Sequence, residues 1–174
     1  MIYAYKKIHP NIATSVFVAP NAVIIGDVEI GEDSSVWFDV VIRGDVNSIR
    51  IGSRTNIQDG AILHVTYKKA DLKIGHHVTI GHGTIVHGCE IEDFCLIGMG
   101  ACILDGARIG KNSLVAAGSL VLENDRIAER SLVAGVPAIV KRSLTPAEIE
   151  EIERSAERYV VYKKHYLGGE FGAI

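Results

Sequence analysis

The stretch IEDFCLIGMGACILDGARIGKNSLVAAGSLV, residues 91–121, places an aliphatic residue at every sixth position. A period of six fits neither an amphipathic helix, whose period is 3.6, nor a half-buried strand, whose period is 2. Internal repeats of this kind are typical of solenoids, in which short strands are joined by corners. We therefore predict a coil whose aliphatic residues point inward, at Ile12, Val18, Ile24, Ile30, Val36, Ile42, Ile51, Ile57, Leu63, Ile74, Ile80, Val86, Ile91, Ile97, Ile103, Ile109, Val115, Val121, Ile127 and Val133.

The interruptions of the repeat predict the number of sides of the coil. The spacing breaks three times, with steps of nine, eleven and five residues at Ile42–Ile51, Leu63–Ile74 and Val86–Ile91. These breaks fall at the same corner if each turn of the coil holds three hexads. The pattern therefore favours a triangular prism whose turns stack at the inter-strand spacing of about 4.8 Å. Glycines directly after many of the aliphatic residues are expected to relieve crowding at the corners.

A helix is expected after the repeat. Pro137 ends the pattern, so we assign residues 1–140 to a hexapeptide-repeat β-helix domain and residues 141–174 to a C-terminal helical segment. Thr145, Pro146 and Glu148 supply an N-cap hydroxyl, a proline at the first helical position and a capping-box glutamate. The helix should end at Gly168-Gly169 and pack on the prism or on a neighbouring subunit. Its apolar face comprises Ile149, Ile152, Ala156, Tyr159, Val160 and Leu167.

Composition excludes several classes of function. A net charge of −3 over 174 residues, without clustered Lys and Arg, argues against nucleic-acid or anionic-membrane partners. The sequence has neither an apolar run long enough to span a membrane nor a signal-peptide core, so we expect a cytoplasmic protein. Three cysteines without a CxxC pair argue against disulfides and against a thiolate zinc cluster. Cys89 and Cys95 occupy small inward positions, where a structural role is expected.

Two histidines are predicted to stack on one face of the prism. His64 and His87 each follow an inward residue and lie one full turn apart, so their imidazoles should point outward about 5 Å from each other. That separation allows both to bind one metal ion. His82 lies at the preceding corner, roughly 10–15 Å away along the chain, and cannot easily join them within one molecule.

A neighbouring molecule could supply the third ligand. Packing three prisms around a threefold axis would bring His82 of one chain to the histidine pair of the next, giving three identical sites. Three imidazoles with an open fourth position suit catalytic zinc, with ferrous iron or cobalt as alternatives. Solvent-facing solenoid histidines explain the pattern equally well at this point. The histidines without a matched partner, His9, His76, His77 and His165, are expected not to bind metal.

The segments VVIRGDVNSIRIGSRTNIQDGAILHVT, IGHGTIVHGC and AGVPAIVKR together resemble the gamma-class carbonic anhydrase family of the left-handed β-helix hexapeptide superfamily. The resemblance implies a left-handed parallel β-helix homotrimer, with zinc bound by His64 and His87 of one subunit and His82 of the next. It implies a lyase in which metal-bound hydroxide hydrates carbon dioxide to bicarbonate. It also implies an intersubunit ion pair between Arg43 and Asp45, where an ordinary surface pair is the alternative.

The resemblance extends to four further residues with weaker support. Gln58 is expected to hydrogen-bond the metal-bound water, and Asp59 to contact that water or support the interface. A corner Gln-Asp-Gly is also ordinary turn chemistry. Asn56 and Tyr159 are expected to line the pocket, and packing roles explain them equally well.

The sequence departs from the best-studied type of the family around the first histidine. That type has an acidic loop with a proton-shuttling glutamate after the histidine, and a second glutamate after Arg-Gly-Asp. This chain has HVTYKKADLK, with Asp71 as the nearby acid, and Val46. Weak activity is therefore expected, with slow proton export or another route for it. The alternatives are a hexapeptide acyltransferase or coenzyme A thioesterase, and a non-catalytic metal-bound trimer serving assembly.

Overall fold

The structure, a computed structural model, describes residues 1–172 and contains twenty short strands followed by one helix. In chain order the elements are β1 Ile2–Tyr3, β2 Asn11–Ile12, β3 Phe17–Val18, β4 Val23–Ile30, β5 Ser35–Val36, β6 Val41–Ile51, β7 Asn56–Ile57, β8 Ile62–His64, β9 Leu72–Ile74, β10 Thr79–Ile80, β11 Ile85–His87, β12 Glu90–Ile91, β13 Leu96–Ile97, β14 Cys102–Ile103, β15 Arg108–Ile109, β16 Leu114–Val115, β17 Leu120–Val121, β18 Arg126–Ile127, β19 Ser131–Gly135, β20 Ala138–Ser143 and α1 Pro146–Leu167.

The strands stack in parallel on three faces, which confirms the predicted solenoid. We call the first the histidine face; its inward residues pair in the order Ile24, Ile42, Leu63, Val86, Ile103, Val121. The second is the charged face, with inward residues Ile12, Ile30, Ile51, Ile74, Ile91, Ile109, Ile127. The third is the helix face, with inward residues Val18, Val36, Ile57, Ile80, Ile97, Val115, Val133.

The core is the interior of this prism. All of the predicted inward aliphatic residues are buried except Ile12 and Val18, which are half-buried near the N-terminal end. Burying such a side chain stabilises the fold by about 1.5–3 kcal/mol, so the column of aliphatic residues supplies most of the cohesion between coils. The repeat thus exists because each coil offers inward space for one aliphatic side chain per face.

The three breaks in the repeat lie at one corner, as predicted. Each break lies between the histidine face and the charged face. Ile42, Leu63 and Val86 lie on the histidine face, and the inward residues that follow them, Ile51, Ile74 and Ile91, lie on the charged face. β4 and β6 run through this corner without interruption. The remaining corners keep the regular spacing.

Glycine allows the coils to approach closely. A Cβ added at Gly98 would lie 2.5 Å from the backbone nitrogen of Ala117, and one added at Gly110 would lie 2.5 Å from that of Glu129. Both contacts involve the backbone of the next coil, which cannot move aside without breaking the stack. The predicted role of these glycines in relieving crowding is confirmed.

The repeat ends in a hairpin, and the helix follows. β19 pairs with β20 in antiparallel fashion, with Pro137 between them. α1 then begins with the predicted capping box, in which Thr145 and Glu148 satisfy each other's backbone N–H groups, and it ends at the Gly168 cap. It packs on the helix face of its own chain.

One part of the predicted apolar helix face is wrong. Ile152, Ala156 and Val160 are buried, but Leu167 is 54% exposed. The last buried position is taken by Lys163, whose ammonium donates to the carbonyl oxygen of Ser15 and to Asp33 at 2.8 Å. A lysine stem can be buried when its charged end finds such acceptors, so helical periodicity alone does not locate the contact surface. Across the part of the chain that the structure describes, no helix is both long enough and apolar enough to cross a membrane.

Candidate metal centre

His64 and His87 lie side by side on the histidine face. They end β8 and β11, and the two strands pair them in register. The ring centroids are 5.0 Å apart, and Nδ1 of His64 lies 3.0 Å from Nε2 of His87. The predicted stacking of the two imidazoles is therefore confirmed, while their role as metal ligands stays a prediction.

A carboxylate contacts each imidazole on its far side. Oδ1 of Asp45 lies 3.2 Å from Nε2 of His64, and Oδ1 of Asp105 lies 2.5 Å from Nδ1 of His87. Histidine ligands of metal ions commonly have one ring nitrogen held by a carboxylate, which orients the ring. The pair has this arrangement at both of its ends.

The surroundings of the two carboxylates keep them ionised. Burial alone would raise the pKa of Asp45, but hydrogen bonds from Arg43 and His64 outweigh it and lower that pKa below its usual value. Asp105 behaves in the same way, because hydrogen bonds from Thr66 and His87 lower its pKa against the effect of burial. Burial lowers the pKa of His64, opposed by its hydrogen bond to Asp45.

The row Asp45, His64, His87, Asp105 contains three contacts between ring nitrogens and acceptors. Both terminal carboxylates are held in the ionised form. Two imidazoles with an anionic side chain at each end of the row are a donor set suited to a divalent cation.

Arg43 and Asp45 form an ion pair within one chain. Nη1 of Arg43 lies 2.6 Å from Oδ2 of Asp45, and both side chains project from β6 on the same side of the strand. The pair lies next to His64 through the second oxygen of Asp45. The intersubunit pairing implied by the family resemblance stays a prediction.

His82 lies at the corner after β10, away from the histidine pair. Its Nδ1 is 2.8 Å from Oδ2 of Asp59, and its side chain is 46% exposed. In residues 1–172, no group of three or more His, Cys, Asp and Glu side chains is arranged to hold a metal ion. One chain therefore brings together two of the three predicted ligands.

Gln58 and Asn56 form a short buried row of amides with Thr79. Nε2 of Gln58 donates to Oδ1 of Asn56 at 3.0 Å, and Nδ2 of Asn56 donates to Oγ1 of Thr79 at 2.9 Å. Gln58 and His82 line the same apolar groove of about 350 Å³ on the helix face. The structure thus associates Gln58 with His82, whereas the predicted contact of Gln58 with a metal-bound water remains untested.

Tyr159 reaches the neighbourhood of Asp59 from α1. Its ring packs edge-on against Trp37 at 5.5 Å, and the two side chains share a cleft with Asp59. Burial raises the pKa of Tyr159, and the negative charge of Asp59 adds to this effect. Both a packing role and a pocket role are compatible with this position.

The buried cysteines are structural, as predicted. Cys89 and Cys95 lie inside the prism, and burial raises the pKa of the Cys89 thiol far above its usual value and that of Cys95 to about 12. Burial therefore disfavours the thiolate form of both side chains.

Asp105 is the residue that sequence reasoning missed. It follows the inward Ile103 by two positions, like many other corner residues, so nothing local singles it out. The register offers a signal, because pairing Val86 with Ile103 brings Asp105 level with the residue after His87.

Comparisons with known proteins agree on the family. The family model described as bacterial transferase hexapeptide (six repeats) matches residues 9–44 and 88–123. The chain is 51% identical over 166 residues to a carbonic anhydrase of Geobacillus kaustophilus, covering 95% of this chain and 91% of that protein. It is 47% identical over 156 residues to the mitochondrial gamma carbonic anhydrase 2 of Arabidopsis thaliana, covering 87% of this chain and only 56% of that protein's length.

A solved structure shares the whole fold. The product of the Bacillus cereus BC4754 gene, described provisionally as an acetyltransferase, superposes with a TM-score of 0.92 at 44% sequence identity. The match covers 95% of both chains.

Proposed function

Because the chain belongs to the gamma carbonic anhydrase family of hexapeptide-repeat proteins, we propose that it hydrates carbon dioxide to bicarbonate at a metal ion held between subunits of a homotrimer. The observation that carries the proposal is the His64 and His87 pair, which lies between two ionised carboxylates and beside an apolar column. Zinc is the proposed metal, with ferrous iron or cobalt as substitutes.

The donor set fits such an ion. His64 and His87 of one subunit and His82 of the next would hold it, leaving an open position for water and substrate. When bound, the ion supplies Lewis acidity that lowers the pKa of a coordinated water towards neutrality. Asp45 contacts Nε2 of His64, Asp105 contacts Nδ1 of His87, and Asp59 contacts Nδ1 of His82.

The outer surface of the histidine face supports the proposed assembly. Its outward residues beside the pair form an apolar column, of which Ile62 and Ile85 are 45% and 43% exposed in the single chain. Covering that column with a second subunit would remove apolar surface from water and exclude water from the histidines. The column consists of Val23, Val41, Ile62, Ile85, Cys102 and Leu120.

Proton export is expected to limit turnover. Asp71, the acid in the loop after His64, pairs with Lys73 at 3.1 Å on the charged face. Asp45 and Asp105, which do contact the histidine pair, are both largely shielded from solvent. Carbon dioxide hydration should therefore be slow and should increase with buffer concentration, because an external base can take the proton that the loop does not.

The proposal is tested by metal analysis and stopped-flow carbon dioxide hydration on protein loaded with zinc or ferrous iron, beside His82→Ala. Wild-type trimers should retain metal, and His82→Ala should lose most of it. Trimers of the wild type that bind no metal would contradict the proposed site. A loaded but inactive trimer would favour the non-catalytic assembly role.

Mixing two inactive variants tests whether the sites are shared. Subunits with His82→Ala keep the histidine pair, and subunits with His64→Ala keep His82. Random trimers refolded from equal amounts of the two should regain about one quarter of the wild-type metal sites, because each shared site needs one intact contribution from each neighbour. No recovery would indicate that all ligands come from one chain.

An acyltransferase acting on coenzyme A esters is the second candidate. The provisional description of the Bacillus cereus structure favours it, and the apolar groove beside His82 offers a surface for a pantetheine chain. Isothermal titration with coenzyme A separates the candidates: measurable binding would favour the acyltransferase, and metal-dependent hydration without binding would favour the carbonic anhydrase.

A further inference from the structure

The carboxylate of Asp105 is held from several sides. Its side chain is 10% exposed, with Oδ1 2.5 Å from Nδ1 of His87. Oδ2 accepts the hydroxyl of Thr66 at 2.6 Å and lies 3.7 Å from Nζ of Lys69. The carboxylate therefore cannot rotate away from His87 without losing charge-assisted hydrogen bonds.

We propose that Asp105 is the positioning residue for His87. By accepting the Nδ1–H of His87, it fixes the plane of the ring and directs Nε2 towards His64, where the metal is expected. Thr66 and Lys69, from the loop in the eleven-residue step of the repeat, hold the carboxylate in place. The part of this inference that concerns metal affinity rests on the proposed function; the part that concerns the ring does not.

Gly88 supplies an independent observation for this role. A Cβ added at Gly88 would lie 2.6 Å from Oδ1 of Asp105 and 2.8 Å from Cβ of Ala70. The carboxylate thus occupies the space that a side chain at position 88 would need. Gly88 is required for the contact between Asp105 and His87 in addition to its turn conformation, whose φ is +50°.

Gly118 separates these two requirements. It has a φ of +67°, so alanine there meets the same backbone strain as at position 88. Within residues 1–172, no heavy atom other than those of its two chain neighbours lies within 4 Å of an added Cβ at Gly118. Comparing Gly88→Ala with Gly118→Ala therefore separates crowding against Asp105 and Ala70 from the cost of a left-handed alanine.

The first measurement uses metal-free protein labelled with nitrogen-15 at histidine. Because Nδ1–H of His87 is hydrogen-bonded, its proton should resonate far downfield and exchange slowly with water, and His87→Gln identifies the signal. Asp105→Ala and Gly88→Ala should abolish the slow exchange. Gly118→Ala should keep it, as should Asp71→Asn, which removes one negative charge from the same loop without touching His87.

The second measurement is zinc affinity by chelator competition. Loss of an outer carboxylate typically weakens metal binding by about 10- to 100-fold, so Asp105→Ala and Gly88→Ala should fall in that range. Asp71→Asn and Gly118→Ala should stay within about two-fold of the wild type.

The outcomes distinguish the two proposals. A slowly exchanging Nδ1–H in Asp105→Ala, or equal effects of Gly88→Ala and Gly118→Ala on that signal, would overturn the positioning role. If the signal behaves as expected but wild-type protein binds no zinc, the positioning role of Asp105 stands and the proposed metal site fails.

Discussion

The histidine face and the charged face are both built on inward aliphatic residues and differ chiefly in the side chains that point outward. On the charged face the outward column combines two acids with four bases, in the order Glu29, Arg50, Lys73, Glu90, Arg108 and Arg126. On the histidine face the corresponding column is apolar, and the polar residues beside it are the histidine pair and its partners. The inward positions therefore determine the fold, whereas the outward positions make one face apolar and the other charged.

Reversing the apolar character of the histidine face should have the largest effect. In Ile85→Asp, the proposed trimer would have to bury an unpaired carboxylate, which costs about 3–5 kcal/mol and should dissociate it. Sedimentation velocity measures this directly. Asn11→Asp, which adds the same charge on the charged face, should leave assembly unchanged; equal behaviour of the two variants would contradict the assignment of the interface.

The difference between the faces should disappear at inward positions. Leu63 on the histidine face and Leu72 on the charged face are both fully buried. Leu63→Ala and Leu72→Ala should each lower the free energy of unfolding by about 3–5 kcal/mol, because each leaves a cavity between coils. Urea denaturation at a fixed protein concentration tests this, and a loss confined to one face would show that the interior is not equivalent on the two.

A substitution in α1, which packs on the helix face, should cause a smaller loss of stability that depends on pH. Lys163→Ala removes the hydrogen bonds to Ser15 and Asp33 and should cost about 1–2 kcal/mol at pH 7. The hydrogen bond from Lys163 lowers the pKa of Asp33 below its ordinary value of 3.8. A lowered carboxyl pKa stabilises the fold above the ordinary value and loses this effect as pH falls through the folded value.

The difference in the free energy of unfolding between the wild type and Lys163→Ala should accordingly be constant near neutrality and decrease below about pH 4. Thermal denaturation across this range measures it. Lys164→Ala, at the exposed neighbouring position, is the control; because Lys164 acts on Asp33 through its charge and forms no hydrogen bond to it, both the loss and its pH dependence should be much smaller.

The smallest effect is expected on the charged face. Arg50→Ala removes ion pairs to Asp27 and Glu29, at 2.8 and 3.5 Å, but all three side chains are substantially exposed. Such pairs are screened by water, so the free energy of unfolding should change by no more than about 0.5 kcal/mol. A larger loss in urea denaturation would mean that the charged side chains of this face hold the coils together.

The repeat made the fold predictable because every coil imposes the same requirement at the same position. That constraint is local and periodic, so one residue in six reveals it, and the three irregular steps confirm the number of sides. The stacking of His64 and His87 followed from the same six-residue spacing. The spacing did not predict residues whose roles depend on contacts between coils or with α1. Asp105 resembles other acidic residues at corners, and Lys163 has the sequence character of an exposed residue although its side chain is buried and its ammonium donates to Asp33.

The corner that takes up all three irregular steps makes the prism modular. The step between the inward residues on either side of this corner varies from five to eleven residues, while the strands of both faces keep their pairing. Replacing the loop at this corner can therefore change the residues near the histidine pair without changing the β-helix itself. Replacing Tyr67 and Lys68 with acidic residues, while keeping Thr66 and Lys69 to hold Asp105, is the natural way to give this chain a faster exit for protons.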